Sequence, residues 1–288
     1  MQPNQIPFAF FGTPWVARAT LSALLDSGYV PQVVVTSPDA AKGRGLEVLP
    51  CEAKALAVER GLPVLMPHRL DESFADELAR YGCRYAIVAA YGKILPQRVL
   101  DLFPMGVLNV HYSLLPKYRG ASPVEQALLH GDTETGVTIQ RMVLKMDAGD
   151  IVTQKSVTID SKETIRELRS RLVQLGSELL IDMLPDYLAG TAPVTPQDES
   201  GVTIAPKISK EEGRISLHGN PEENWKKFRA YCESPGTYFY AKKGDKRIRV
   251  KITDAIFVDG VFMIKTIVPE SKTAQDYSML MRNGWEAE

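Results

Sequence analysis

Up to about residue 190 the chain alternates short apolar, β-rich runs with segments of helical period, and this alternation limits its fold more than any other feature. Runs that are apolar on both faces suit strands paired in parallel, which need crossover helices to connect and cover them. Residues 6–11, 30–36, 62–65, 84–90 and 106–111 read as strands, and 14–28, 52–60 and 71–81 as helices between them. Thr13 is placed to cap the first helix, with Pro14 as its first residue, and Asp71 to cap the third. Two further β-rich runs, 136–143 and 151–159, flank Asp147-Ala148-Gly149-Asp150, a strong turn signal. Ser161 and Thr164, followed by Leu168, Leu172, Leu175, Leu179 and Leu180, predict an amphipathic helix reaching about residue 188. An α/β domain over residues 1–190 is the expectation.

The pattern breaks at a proline-rich stretch, 191–206, which reads as a linker. Beyond it a helix at 222–231 precedes strands at 236–240, 247–257 and 261–268, joined by turns at Lys243-Gly244-Asp245 and Asp259-Gly260. A small β-barrel over 207–288 is expected. With 34 Lys+Arg against 35 Asp+Glu, the chain is no polycation that grips nucleic acid by bulk charge, so any basic face must be local. Residues 207–288 carry 15 basic against 12 acidic side chains, and 1–206 carry 19 against 23. Within the more basic half, the stretch from Lys242 to Lys251 has six cations and only Asp245 against them, which suits a hairpin that tracks phosphates. A solvated hairpin has the same composition.

Cys51, Cys83 and Cys232 are too few and too scattered for a disulfide framework, and no Cys or His spacing suggests a metal site. No run approaches 18 apolar residues, and residues 1–8 lack the basic-then-apolar pattern of a leader. The expectation is a soluble, cytoplasmic protein that needs no metal. Gly43-Arg44-Gly45 opens like a dinucleotide fingerprint, but Val48 stands in place of the third glycine and a loop precedes it. That loop, 37–50, has no clean periodicity, and its length makes it a candidate recognition element.

Asn109-Val110-His111 closes an apolar run, and the two-residue period of a strand puts Asn109 and His111 on one face. At the carboxyl end of a parallel strand, that face meets the crevice where open α/β sheets hold ligands. A fixed amide dipole beside an imidazole suits a carbonyl that becomes tetrahedral, since one steadies the developing oxyanion and the other carries protons near pH 7. Asp147 is placed to fold back and orient the imidazole. Taken singly, each has an ordinary role as turn former or buried polar residue.

The block from Asn109 to Pro123, with Ser113-Leu114-Leu115-Pro116-Lys117-Tyr118-Arg119-Gly120 at its centre, resembles the signature of the formyltransferases that use 10-formyltetrahydrofolate. Asp147-Ala148-Gly149-Asp150 resembles their second signature. Phe10-Phe11-Gly12-Thr13-Pro14, the loop with Gly43-Arg44-Gly45, the stretch from Ala90 to Pro96 and the stretch from Ile208 to Ile215 narrow the likeness to members that formylate methionyl-initiator tRNA. The resemblance implies a Rossmann-like catalytic domain at 1–190 and an OB-like, tRNA-binding barrel at 207–288. It implies that Asn109 and His111 hold and polarise the formyl group while Asp147 tunes His111. Folate is expected near Ala90, Tyr91, Gly92, Ile94 and Leu95, and near Ser113, Leu114, Leu115 and Pro116; Tyr91 and Leu95 also fit ordinary core packing. Arg44 is expected at the acceptor end of the tRNA, and Lys207, Lys210, Lys242, Lys243, Lys246 and Arg247 along its phosphates. The chain is expected to act as a monomer in translation initiation. A sugar-nucleotide N-formyltransferase shares Asn109, His111 and Asp147 but has less use for the Arg44 loop and the basic half.

Overall fold

The computed structural model of the chain describes residues 5–42 and 47–288, with backbone only at 40–42, 47 and 48. It contains β1 (Phe8–Gly12), α1 (Trp15–Asp26), β2 (Val33–Val35), β3 (Ala40–Lys42), β4 (Glu47–Leu49), α2 (Glu52–Glu59), β5 (Val64–Leu65), α3 (Glu72–Ala79), β6 (Tyr85–Ala89), α4 (Gln97–Leu100) and β7 (Val107–His111). Then come β8 (Arg119–Gly120), α5 (Pro123–His130), β9 (Glu134–Arg141), β10 (Ile151–Thr158), α6 (Ile165–Ala189) and β11 (Ile204–Ala205). The main sheet has the order β10-β9-β7-β6-β1-β2-β5. Its β7-β6-β1-β2-β5 portion is parallel throughout, and β9 runs antiparallel to β7. The chain leaves β1 toward β2 and β5, then crosses back to β6 and β7, so a topological switch lies between β1 and β6.

Packing explains the local choices. Phe8 to Phe11 and Tyr85 to Ala89 are buried on both faces, as an interior parallel strand demands. A side chain at Gly12 would press on the Ala17 methyl at 2.4 Å and the Ala89 carbonyl at 2.8 Å, so glycine lets α1 start hard against the sheet. Asp71 caps α3 by accepting from the Phe74 N–H at 3.3 Å. Thr13 does not cap α1: the helix follows Pro14 with no side-chain cap. Its hydroxyl is spent on the start of the next loop, accepting from Ser37 N at 3.2 Å and lying 3.1 Å from Ser37 Oγ. The cap of α6 is one turn later than Ser161 suggests, because Glu167 turns back to receive both Thr164 N and Thr164 Oγ1, at 2.8 and 2.9 Å. Within the loop expected at 37–50 the chain forms β3 and β4, which pair antiparallel.

The chain divides into two compact units, and neither is continuous in sequence. The first comprises residues 1–120, 136–156 and 171–204, the second 121–135, 157–170 and 205–288. The proline-rich stretch read as a linker is therefore packed chain up to residue 204. Thr195 exchanges backbone hydrogen bonds with Ile151 at 2.8 and 2.9 Å, and Gln197 is held by side-chain bonds described below. Proline there marks extended backbone laid on the first unit, not a free spacer.

The second unit adds α7 (Pro221–Tyr231), β12 (Tyr238–Lys243), β13 (Lys246–Val258), β14 (Val261–Pro269), β15 (Gln275–Asp276), α8 (Tyr277–Arg282) and β16 (Glu286–Ala287). Its strands form an antiparallel sheet in the order β15-β14-β13-β12-β16. Among the described residues no ladder joins β15 to β16, so what the sequence suggests as a barrel is a sheet with two ends. A register shift between Ile252 and Ala255 interrupts the long β13 ladder. Phe239, Val250, Ile252 and Ile267 fill the sheet's inner face with Trp225 and Phe228 of α7. Asn220 caps α7 by accepting from Glu222 N and Glu223 N.

Candidate active site

The carboxyl end of β7 carries the polar cluster that the sequence predicts. The register of β7 on β9 pairs Asn109 with Gln140 and His111 with Thr138, so all four residues share one face of the sheet. The turn between β9 and β10 returns Asp147 to this face. Its Oδ1 accepts from Gln140 Nε2 at 2.9 Å and from Asn109 Nδ2 at 3.5 Å, and its Oδ2 from the Gly120 N–H at 2.9 Å. His111 Nδ1 stands 3.7 Å from Asp147 Oδ1. The three candidate catalytic residues are thus brought together, with Asp147 as their common neighbour.

The two ring nitrogens of His111 differ in what they face. Nε2 lies 3.0 Å from the Tyr118 carbonyl, which can only accept, so this nitrogen carries the hydrogen. That leaves Nδ1 with its lone pair on the side of Asp147. Burial pushes the imidazole pKa below its ordinary value, against the opposing pull of the Asp147 carboxylate and the Tyr118 carbonyl. A neutral ring with an open Nδ1 can take up a proton, and the carboxylate stands where the resulting cation needs it.

Backbone strain concentrates here. Of the five non-glycine residues with positive φ among the described residues, three flank the strand ends: Ala90 at 47°, Tyr118 at 62° and Asp147 at 48°. Such conformations cost roughly 1–3 kcal/mol each and persist where surrounding contacts impose them. Gly149 follows in the same turn, and a Cβ there would lie 1.7 Å from the Arg141 carbonyl oxygen, so the turn is pressed onto β9.

The segments expected near folate are placed unevenly. Tyr91 and Leu95 are core residues, 3% and 1% exposed. Tyr91 packs edge-on against Phe11, and burial pushes its hydroxyl pKa up to about 12. Gly92 and Ile94 are exposed, and Ala90 is half-buried. Ser113 is buried, with its hydroxyl donating to the Lys117 carbonyl at 2.6 Å. Leu115 has its N–H on Thr138 Oγ1 and its carbonyl on Gln154 Nε2, while Leu114 and Pro116 are half-buried. The outward surface of these segments is therefore the backbone at 90–92 with Ile94, Leu114 and Pro116.

In the second unit Lys207, Lys210, Lys242, Lys243, Lys246 and Arg247 are all exposed. They do not form one patch. Cross-strand pairing sets Lys242 opposite Arg247, Tyr240 opposite Arg249 and Tyr238 opposite Lys251 on one face, with Lys243 and Lys246 on the other. On the first face Arg247 stacks over Tyr240 at 3.9 Å, Arg249 over Tyr238 at 3.7 Å, and Arg214 reaches Tyr240 at 5.3 Å. Arg44 lies outside the described residues.

Sequence reasoning missed Gln140 and Gln197. For Gln140 a signal exists: Thr138 and Gln140 are polar at alternate positions of an otherwise apolar run, and both are buried. Gln197 carries no such signal, since its partners, the Asp147 and Gly149 carbonyls and the Arg119 guanidinium, are distant in sequence.

Comparison with known proteins decides the family. Residues 5–184 match the family described as Formyl transferase. The chain belongs to the formyltransferase family. It is 42% identical over 240 residues to a methionyl-tRNA formyltransferase of Bdellovibrio bacteriovorus, covering 82% of this chain and 76% of that protein. It is 40% identical over 264 residues to one of Lactobacillus johnsonii, covering 91% and 83%. Among solved structures it resembles an N-formyltransferase of Helicobacter canadensis in complex with folinic acid and dTDP-3-aminofucose, with a TM-score of 0.66 at 19% identity over 88% of this chain and 89% of that one. A methionyl-tRNA formyltransferase from Clostridium thermocellum gives 0.59 at 15% identity, over 91% and 97%. At such identities the structures establish the fold alone. This formyltransferase has no helix long and apolar enough to cross a membrane among its described residues, and no group of His, Cys, Asp and Glu there that could hold a metal ion.

Proposed function

We propose that this formyltransferase moves the formyl group of 10-formyltetrahydrofolate to the α-amine of methionyl-initiator tRNA, supplying formylmethionyl-tRNA for translation initiation in the cytoplasm. The observation that carries this reading is identity of 40% to a methionyl-tRNA formyltransferase across 91% of the chain, well past the catalytic signatures. The uncharged amine attacks the formyl carbon, and the carbonyl oxygen becomes an oxyanion steadied by the Asn109 amide and, once the ring is protonated, by His111. The amine proton passes to His111 Nδ1, the nitrogen not spent on Tyr118, and Asp147 steadies the imidazolium. The proton then goes to the departing folate nitrogen as the carbon–nitrogen bond breaks. No step draws on a metal ion.

The folate is held over Ala90, Gly92 and Ile94 on one side and Leu114 and Pro116 on the other. Backbone groups there meet the donor and acceptor edge of the pterin, and Tyr91 and Leu95 support the loop from beneath. Residues 1–190, with the packed stretch to 204, form the catalytic part and 207–288 the tRNA-binding part, an OB-like module that acts in a monomer. The face with Arg214, Arg247 and Arg249 supports this assignment, because exposed cations held over the Tyr238 and Tyr240 rings suit the phosphates of RNA. Lys207, Lys210, Lys242, Lys243 and Lys246 extend the charge, and Arg44 approaches the acceptor end.

A sugar amine is the competing acceptor, since the fold is shared with sugar N-formyltransferases. The deciding experiment supplies 10-formyltetrahydrofolate with methionyl-tRNA, with an amino-sugar nucleotide, or with neither. Formyl transfer to the tRNA alone is the expected result, and product only with the sugar refutes the reading.

A further inference from the structure

Every polar group of the Gln197 side chain is spent around the turn that carries Asp147. Its Nε2 donates to the Asp147 carbonyl at 2.8 Å and to the Gly149 carbonyl at 2.6 Å. Its Oε1 accepts from Arg119 Nε at 3.0 Å and Nη2 at 2.8 Å. Arg119 is itself 2% exposed and donates to Glu199 Oε1 at 2.8 Å. The next residue, Gly120, gives its N–H to the Asp147 carboxylate. Residues 119–120, 147–149 and 197 therefore close a ring of hydrogen bonds around a turn whose first residue has a φ of 48°. Two donors on consecutive parts of that turn fix its backbone, and the backbone fixes where the Asp147 side chain points.

We propose that Gln197 is a positioning residue for formyl transfer: by clamping the 147–149 turn it sets the Asp147 carboxylate beside His111. The role in catalysis rests on the function proposed above, but the role in placing the carboxylate does not. Among the described residues Asp147 is the ionisable side chain within ion-pair range of His111, so the imidazole reports directly on where the carboxylate stands.

Gln197→Glu separates the two halves of the contact. The carboxylate still accepts from Arg119 but turns an acceptor oxygen on two carbonyls that need donors. Gln197→Met keeps the length and removes both halves; should it fail to fold, Gln197→Glu, which keeps a partner for Arg119, decides. Two readouts are taken on each variant: the NMR titration of His111 in the substrate-free chain, and kcat and KM for methionyl-tRNA. In Gln197→Glu the His111 midpoint is expected to fall as the carboxylate drifts away. The value of kcat is expected to fall about tenfold or more, since small misplacements of reacting groups reach ~10²-fold, with KM for tRNA within about twofold. A folded Gln197→Glu whose His111 titrates as in the wild type overturns the proposal, whether or not kcat falls, because a merely structural role leaves the imidazole unmoved. If the wild type fails to formylate methionyl-tRNA, the function reading falls, and the titration still decides the positioning role.

Discussion

The strand-end site and the outer face of the C-terminal sheet are both polar, and they are built on opposite principles. Around Asp147 the groups are buried or half-buried, mostly neutral and individually bonded: Gln140, Asn109 and a backbone N–H converge on one carboxylate, and His111 is 5% exposed. On the face of β12 and β13 the groups are exposed and cationic, and their partners are aromatic rings and the acidic Glu288. In the function proposed above, the first arrangement fixes atoms against a short-lived charge, and the second presents charge to a large flexible polyanion and tolerates adjustment. Burial makes the first sensitive to single atoms and insensitive to salt, and exposure makes the second the reverse.

Three substitutions or conditions break this contrast in different places. The largest effect is expected from Asn109→Leu, which keeps the size and removes the dipole. Loss of one oxyanion donor typically costs about 10²–10³ in kcat, and KM for tRNA should stay within about twofold at any salt concentration. Steady-state kinetics at two ionic strengths checks both halves. Next comes Arg247→Glu combined with Arg249→Glu. Here kcat should hold while kcat/KM for tRNA falls about tenfold at moderate salt, and the log–log salt dependence should shrink by about 1 for each phosphate that is no longer neutralised. An unchanged salt slope would remove this face from tRNA binding.

The smallest effect concerns pH. The folded-state pKa of His111 lies below its unfolded value because the ring is buried. Above the unfolded value of about 6.5 both states are neutral and the group contributes nothing to stability. As pH falls below that value the unfolded chain binds the proton first. His111 then disfavours the fold, until the pH passes the folded pKa and the loss levels off. Melting temperature should therefore drop less on acidification in His111→Asn than in the wild type, and wild-type kcat should be flat from pH 7 to 8 as far as His111 governs it.

The same contrast explains what the sequence discloses. Asn109, His111 and Asp147 are legible because their chemistry sits in two compact motifs, and a strand's period of two places the first pair without further information. The parallel sheet is legible from apolar runs alone. Gln197 is not, because its role comes from backbone carbonyls some 50 residues away and its surroundings read as a proline-rich spacer. Thr13 reads as a helix cap on local grounds, and the Ser37 contact that claims its hydroxyl is long-range. In the C-terminal sheet the run of cations is plain, but only the register shows that Lys242 and Arg247 share a face with Tyr238 and Tyr240 while Lys243 and Lys246 do not. The two ends of that sheet are equally hidden, since closure depends on which short terminal strands meet.

The central claim is that His111 and Asp147 act as one unit on the formyl group, and a double-mutant cycle on single-turnover formyl transfer at saturating tRNA tests it most directly. Residues that act together are grossly non-additive. His111→Ala, Asp147→Ala and the double variant should each lose rate by a similar factor of about 10³. A double variant slower by the product of the two single losses would show two independent residues and contradict the account.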